Sequence, residues 1–109
     1  MRLILLFMLL AGGCADRNAD RADSQTVAVA ANFAPVLEQL SRQYTADTGA
    51  VIRTVVGSTG KLYAQISNGA PIDIFLAADT ERPRRLEDAG LIVPDSRFTY
   101  ARGRLVLWS

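Results

Sequence analysis

Residues 51–66 read VIRTVVGSTGKLYAQI, and this stretch decides the kind of fold that the chain adopts. Its first half is rich in β-branched residues, which favour a strand. Its second half places Leu62 and Ile66 four residues apart, as on one face of a helix. A strand that turns through small residues directly into a helix is the repeating unit of α/β proteins.

The turn at residues 57–61, GSTGK, resembles the phosphate-binding loop of nucleotide-binding enzymes. That pattern requires a glycine five positions before its Gly-Lys pair and a hydroxyl residue after the lysine. Val55 and Leu62 stand at those two positions. The turn still exposes backbone N–H groups that have no partner within the helix, and such groups attract anions. The sequence therefore predicts an anion-holding turn rather than an ATP site.

Strand and helix patterns alternate along the rest of the chain. Strands are predicted at residues 26–31, 51–56, 72–78 and 104–108. The first helix has Pro35 in its first turn, Gly49 just past its end, and an apolar stripe formed by Val36, Leu37, Leu40 and Tyr44. Repeated strand–helix–strand units predict an α/β fold, with a mostly parallel sheet and helices on both faces.

Polar residues follow the first two predicted strands, at the sheet edge where ligands of such folds bind. Asn32 follows the first strand, and Ser58 and Thr59 follow the second. Asn and Ser are also favoured helix N-caps, so each side chain could cap only its own helix. Together the two turns offer an amide, hydroxyls and two helix N-termini. These neutral donors suit a fully ionised tetrahedral oxyanion.

The other polar residues are interpreted as structural. Lys61 is predicted to be solvated. Asp73 and Asp79 have no His, Cys or second carboxylate at ligand spacing, so we expect capping and solvent-facing roles and no metal site. The arginines that share a helix with acidic residues are predicted to form an ion-paired outer face: Arg82, Arg84 and Arg85. The aromatic residues predicted to lie in the core are Tyr63, Phe75 and Trp108.

The composition excludes several classes of protein. The chain has 109 residues, 12 basic and 11 acidic side chains, and a formal charge of +1. This balance argues against a nucleic-acid surface. Histidine is absent, which removes the commonest general base and metal ligand. We therefore expect a binding protein without a cofactor and not an enzyme.

The first residues, MRLILLFMLLAGGC, form an export signal with an apolar run that is short for a membrane span. Residues 11–14, AGGC, resemble the lipobox of bacterial lipoproteins, so residues 1–13 are predicted to be a signal peptide and Cys14 an acylated anchor. An ordinary signal peptide is the alternative. Residues 14–25 are polar and are predicted to form a tether. Either interpretation places the protein in the periplasm or cell envelope.

Three stretches together resemble the periplasmic molybdate-binding proteins of ABC transporters. They are VAVAANFAPVLEQL (27–40), GSTGKLYAQISNGAPIDIFLAAD (57–79) and SRFTYARGRLVLWS (96–109). The resemblance implies the first lobe of a two-lobed, class II binding protein, which closes on molybdate or tungstate and delivers it to a membrane permease. It also implies capture by hydrogen bonds alone.

Carried over by position, the resemblance assigns the ligand of the first turn to Asn32, with the backbone near Ala31, and that of the second turn to Ser58. Thr59 is the neighbouring hydroxyl. Relatives often have Ser or Thr where this chain has Ala31. Family members continue for about as many residues again, so residues 26–109 are expected to be an N-terminal lobe without its second lobe.

Three other hypotheses remain open at this point. The ligand could be sulfate or another oxyanion, because these ions resemble molybdate in shape and charge. The glycine turn could belong to a phosphoryl-transfer enzyme, although the missing hydroxyl position argues against it. The chain could also be a truncated, nonfunctional fragment.

Overall fold

A computed structural model describes residues 24–109 of the chain. Three strands alternate with three helices: β1 (Ser24–Ala30), α1 (Ala34–Thr48), β2 (Val51–Gly57), α2 (Thr59–Ser67), β3 (Ile74–Leu76) and α3 (Glu81–Asp88). Residues 91–109, after α3, form neither helix nor strand. The signal peptide and Cys14 lie outside the described residues.

The three strands form one parallel sheet in the order β2-β1-β3. Ser24 pairs with Val51 and Ala30 pairs with Gly57, so β1 and β2 run side by side over their whole length. β3 pairs with β1 over three residues only. A parallel pair requires a crossover, and here a helix supplies each one. The α/β fold with a parallel sheet is therefore confirmed.

The core lies on both faces of β1. On one face, Val27 and Val29 form a buried cluster with Leu37 of α1. Side chains alternate along a strand, so Ala28 and Ala30 point to the other face. On that face Leu62 of α2 lies against Gly57, the partner of Ala30. Burial of β1 from both sides explains its run of small and β-branched residues.

The ends of α1 follow the sequence signals. Proline stands in its first turn. Gly49 caps its end with φ of 77°, a left-handed conformation that residues with a Cβ rarely adopt, and its N–H donates to the Thr45 carbonyl oxygen at 2.8 Å.

Two predicted strands differ from the structure. The third is shorter than predicted at both ends, and beyond its last residue the Ala78 N–H donates to the Thr59 hydroxyl oxygen instead of to a neighbouring strand. The predicted strand at residues 104–108 is wrong. Leu105 and Leu107 are fully exposed, and no strand of the described region pairs with them.

Three further expectations need correction. Ser24 and Gln25, placed in the tether, begin β1 and pair with β2. Trp108, predicted to lie in the core, is 92% exposed. Of the apolar stripe on α1, only Leu37 is buried, because the helix rests one narrow face on the sheet.

Within residues 24–109, none of the helices combines the length and the apolar character that a membrane-spanning segment requires.

Candidate functional site

The carboxyl ends of β1 and β2 lie side by side, and this brings the two predicted turns together. Ala30 is paired with Gly57, and the Ala31 N–H donates to the Gly57 carbonyl oxygen at 3.0 Å. Asn32 and Ser58 follow these paired residues directly. The register of the sheet therefore places both candidate ligands at the same edge, in adjacent turns.

Ser58 caps the N-terminus of α2. Its backbone is extended, with φ of −71° and ψ of 148°, and its hydroxyl oxygen accepts a hydrogen bond from the Lys61 N–H at 3.3 Å. A hydroxyl that accepts one bond still has its proton to donate. Capping and ligand binding are therefore compatible at Ser58, and the cap fixes where the hydroxyl lies.

Thr59 is oriented in a similar way by a different partner. Its side-chain oxygen accepts a hydrogen bond from the Ala78 N–H at 3.0 Å, and the residue is only 8% exposed. Its proton is also left to donate. The bond ties the second turn to the end of β3, so Thr59 joins two elements at the candidate site.

Asn32 is exposed, and its side chain makes no hydrogen bond within the part of the chain that the structure describes. The interpretation of Asn32 as an N-cap is wrong, because the cap residue of α1 is Phe33 and no side chain bonds to the start of that helix. The Asn32 amide therefore has both its donors available for a ligand.

The backbone near Ala31 was expected to hold the ligand, but the Ala31 N–H has a partner within the fold. This N–H is already used in the bond to Gly57, so this group is not free to hold an anion. The bond instead extends the pairing of β1 and β2 by one residue. Ala31 therefore holds the two turns together.

The turn after β3 adds a charged pair. Arg82 was predicted to lie with Arg84 and Arg85 on the ion-paired outer face of their helix, but it pairs with Asp79 instead. Asp79 accepts from the Arg82 backbone N–H at 2.9 Å and from the Arg82 guanidinium. Asp79 therefore bonds to the start of α3 as a capping side chain does, although the N-cap residue itself is Thr80, whose side chain makes no capping bond. Burial alone would raise the pKa of Asp79, but these hydrogen bonds outweigh it and hold the pKa below its usual range. Asp79 therefore stays ionised beside Arg82.

Arg84, Arg85 and Lys61 follow the predictions, whereas Asp73 caps no helix. Arg84 and Arg85 bond to Glu81 on the exposed side of α3. Lys61 is exposed. Asp73 accepts from the Thr26 N–H at 2.7 Å, so its carboxylate extends the contact between β1 and β3 at the end of the sheet opposite to the turns.

Tyr100 makes two contacts near the candidate site that the sequence did not predict. Its hydroxyl donates to the Ala77 carbonyl oxygen at 2.9 Å, and its ring meets Phe33 edge to face at 5.0 Å. Burial raises the pKa of Tyr100. Tyr100 is 23 positions from Ala77 and 67 positions from Phe33 in the sequence. No local sequence pattern could therefore have indicated these contacts. Tyr100 fastens the final segment beside the first turn.

The chemistry that the edge can perform is anion capture. Among residues 24–109, no group of three or more His, Cys, Asp or Glu side chains could hold a metal ion. The groups that lie in the two adjacent turns are an amide, two hydroxyls and the start of α2. Such dipoles stabilise an oxyanion that has no proton to share.

A groove of about 550 Å³ lies elsewhere, between α1 and β2. It is lined by Glu38, Ser41, Arg42, Thr45, Ala46, Val51, Ile52 and Thr54, and includes none of the predicted ligands. The groove is broadly open to solvent, whereas the turns at the sheet edge carry oriented donors. We therefore place the candidate site at the turns.

Comparison with known proteins agrees with this architecture. Residues 25–109 match the sequence profile of the bacterial extracellular solute-binding protein family. The molybdate-binding protein ModA of Azotobacter vinelandii is 48% identical over 104 residues, which are 95% of this chain and 41% of that protein. ModA of Rhodobacter capsulatus, also named a molybdate-binding protein, is 45% identical over 82 residues, which are 75% of this chain and 32% of that protein.

The fold has a counterpart among solved structures. The periplasmic molybdate-binding protein of Azotobacter vinelandii matches with a TM-score of 0.69 at 45% identity, over 70% of this chain and 33% of that chain. The chain thus spans less than half the length of each of these relatives. The match of the profile to most of the chain identifies its family. This chain belongs to the bacterial extracellular solute-binding proteins.

Proposed function

We propose that this chain binds molybdate outside the inner membrane, as part of the solute-binding component of an ABC uptake transporter. The observation that carries the proposal is the pair of adjacent turns in which Asn32 and Ser58 present neutral donors at one edge of the sheet. The relatives named as molybdate-binding proteins support the choice of ligand. Tungstate, which has the same shape and charge, is proposed as a second ligand.

Physical chemistry favours a tetrahedral dianion at this edge. Asn32 can donate from its amide, and Ser58 and Thr59 from hydroxyls whose oxygens are already held by backbone N–H groups. A protonated anion would present a donor where the site offers few free acceptors, and an unmatched donor is costly. Sulfate satisfies the same argument, so discrimination between the two ions requires measurement.

We further propose that residues 24–109 form the N-terminal lobe of a two-lobed protein, and that groups from a second lobe complete the oxyanion site. The support is the extent of the match, which covers 41% of one relative and most of this chain. A membrane permease is the proposed receiver of the ligand.

Export and anchoring belong to the same proposal. Residues 1–13 would direct the chain out of the cytoplasm, and the Cys14 sulfur would receive a lipid. Incorporation of labelled palmitate into the wild-type chain, and its loss in Cys14→Ser, is the expected result. Equal labelling of both chains would contradict acylation at Cys14.

The central test is a two-dimensional NMR titration of the purified chain with sodium molybdate. We expect saturable shifts of the backbone amides around Asn32 and Ser58, with smaller shifts for the same concentrations of sulfate and phosphate. A response to sulfate without one to molybdate would overturn the assignment, and so would a response to ATP that Lys61→Ala abolishes.

A matched pair of variants separates binding from folding. Ser58→Asp keeps a good N-cap but places a negative charge at the proposed ligand, so we expect an intact spectrum and no molybdate response. Ser67→Asp puts the same charge at the other end of α2 and should leave the response in place. Loss of binding in both variants would argue against a site at the start of the helix.

A further inference from the structure

Arg82 lies against the first turn of α2, although it belongs to α3. A Cβ placed on Gly60 would lie 3.3 Å from the Arg82 Nη2 and 3.4 Å from its Nε. Gly60 comes two residues after Ser58, and the Cα–Cβ bonds of a helix tilt toward its N-terminus. The guanidinium therefore lies beside the first turn of α2, the helix that Ser58 caps.

The charge of Arg82 is paired with a carboxylate from the neighbouring turn. Asp79 Oδ2 lies 2.5 Å from Arg82 Nη1, and both side chains are about one-third to two-fifths exposed, at 32% and 43%. Asp79 Oδ1 accepts from the Arg82 backbone N–H. Arg84 and Arg85 pair with Glu81 instead, on the exposed side of α3. Only Arg82, among these three arginines, is held at the edge where the turns meet.

The pairing has an electrostatic consequence for the site. A lone cation at the start of α2 would attract any anion, because Coulomb forces do not distinguish one oxyanion from another. A lone carboxylate there would repel every anion. With both present the local charge cancels, and the oriented N–H and O–H groups decide which ion is held.

We propose that the Asp79–Arg82 pair keeps the edge of the oxyanion site electrically neutral, so that oriented dipoles and not a net charge set the affinity for anions. This inference rests on the proposed function of the same site. Asp79 and Arg82 act through the field at the site and not by touching the ligand.

Two opposite substitutions test the proposal, with molybdate and sulfate as probes in the NMR titration at low and physiological salt. Asp79→Asn keeps a capping side chain but frees the arginine charge. Arg82→Gln leaves the carboxylate unpaired. Because Coulomb forces act on both ions alike, we expect the first to tighten and the second to weaken binding of both ions by about three- to ten-fold at low salt. Both effects should shrink as salt rises.

The matched control is Arg84→Gln, which removes the same charge from the outer side of α3 and should leave the affinity within about two-fold of wild type, since exposed charges are largely screened. Weaker binding in both Asp79→Asn and Arg82→Gln, or equal effects of Arg82→Gln and Arg84→Gln, would overturn the inference. If a two-lobed protein that carries this chain as its first lobe binds no molybdate, the proposed function itself fails. If it binds molybdate but the two substitutions do not diverge, only the role of the pair is refuted.

Discussion

At the scale of the single residue, the Thr59 hydroxyl contributes to the fold and, in the proposed function, to the oxyanion site. Its oxygen satisfies the Ala78 N–H, which has no strand partner because β3 ends two residues earlier. Its proton remains for a ligand. The position of the second turn is thus set by a bond to the third, and not by α2 alone.

Replacement of Thr59 by valine should therefore weaken the fold. Valine keeps the shape of threonine but leaves the part-buried Ala78 N–H without an acceptor, which costs about 1 to 2 kcal/mol. The free energy of unfolding in urea measures this loss. Thr59→Ser retains the acceptor and should lose less. A valine variant as stable as the wild type would show that water replaces the bond.

Asp79 predicts how stability depends on pH. Its pKa in the folded chain is lowered from the ordinary value of 3.8, so the folded state favours the ionised carboxylate. The stabilisation is therefore complete above about pH 5 and is lost as the pH falls through the lower folded pKa. Urea midpoints between pH 6 and pH 3 should show the wild type converging on Asp79→Asn in acid. A difference that is constant over this range would contradict the prediction.

At the scale of the element, local signals predicted the helices well. The structure has a proline in the first turn of α1 and Gly49 at its end, as predicted. Each of these signals depends on the backbone conformation of one residue, so the local sequence is enough to indicate it. The strand predicted at residues 104–108 failed because a strand needs a partner as well as an apolar, β-branched sequence.

The burial of the apolar stripe of α1 likewise depends on neighbouring elements that the local sequence does not show. Periodicity correctly indicates a helix, but it does not indicate how much of the stripe a neighbour covers. Val36, Leu40 and Tyr44 are each about half exposed, while Leu37 is buried against β1. Burial depends on the three-stranded sheet beneath the helix, and that is a property of the assembled elements.

Gly49 provides a test of the helix end. An alanine there must adopt the left-handed conformation, which costs roughly 1 to 2 kcal/mol for a residue with a Cβ. No atom lies within 4 Å of the added Cβ, so the cost is one of backbone conformation and not of crowding. Gly49→Ala should lower the urea midpoint. Gly103→Ala, which also meets no atom and lacks a positive φ, should leave the midpoint unchanged.

At the scale of the whole molecule, the sequence predicted which turns lie side by side but not the long-range contacts that hold them in place. Alternating strands and helices place Asn32 and Ser58 at one edge through the register of β1 and β2. The contacts of Arg82 with Gly60 and of Tyr100 with Phe33 and Ala77 join segments far apart in the chain. Such contacts depend on the packing of complete elements, so no local pattern contains them.

The segment after Tyr100 gives the last prediction. The aromatic and aliphatic side chains from Leu105 to Trp108 are all exposed, and Trp108 is the chain's only tryptophan. The fluorescence of the folded chain should therefore resemble that of tryptophan in water and be quenched readily by iodide, because the indole packs against no described residue closely enough to be shielded. Unfolding in guanidinium should hardly move the emission maximum. A blue-shifted emission that iodide does not reach would show that this apolar segment is covered in solution. Trp108→Phe provides the control, since it removes the tryptophan fluorescence. The free energy of unfolding of this variant also shows whether the segment contributes to the stability of the fold.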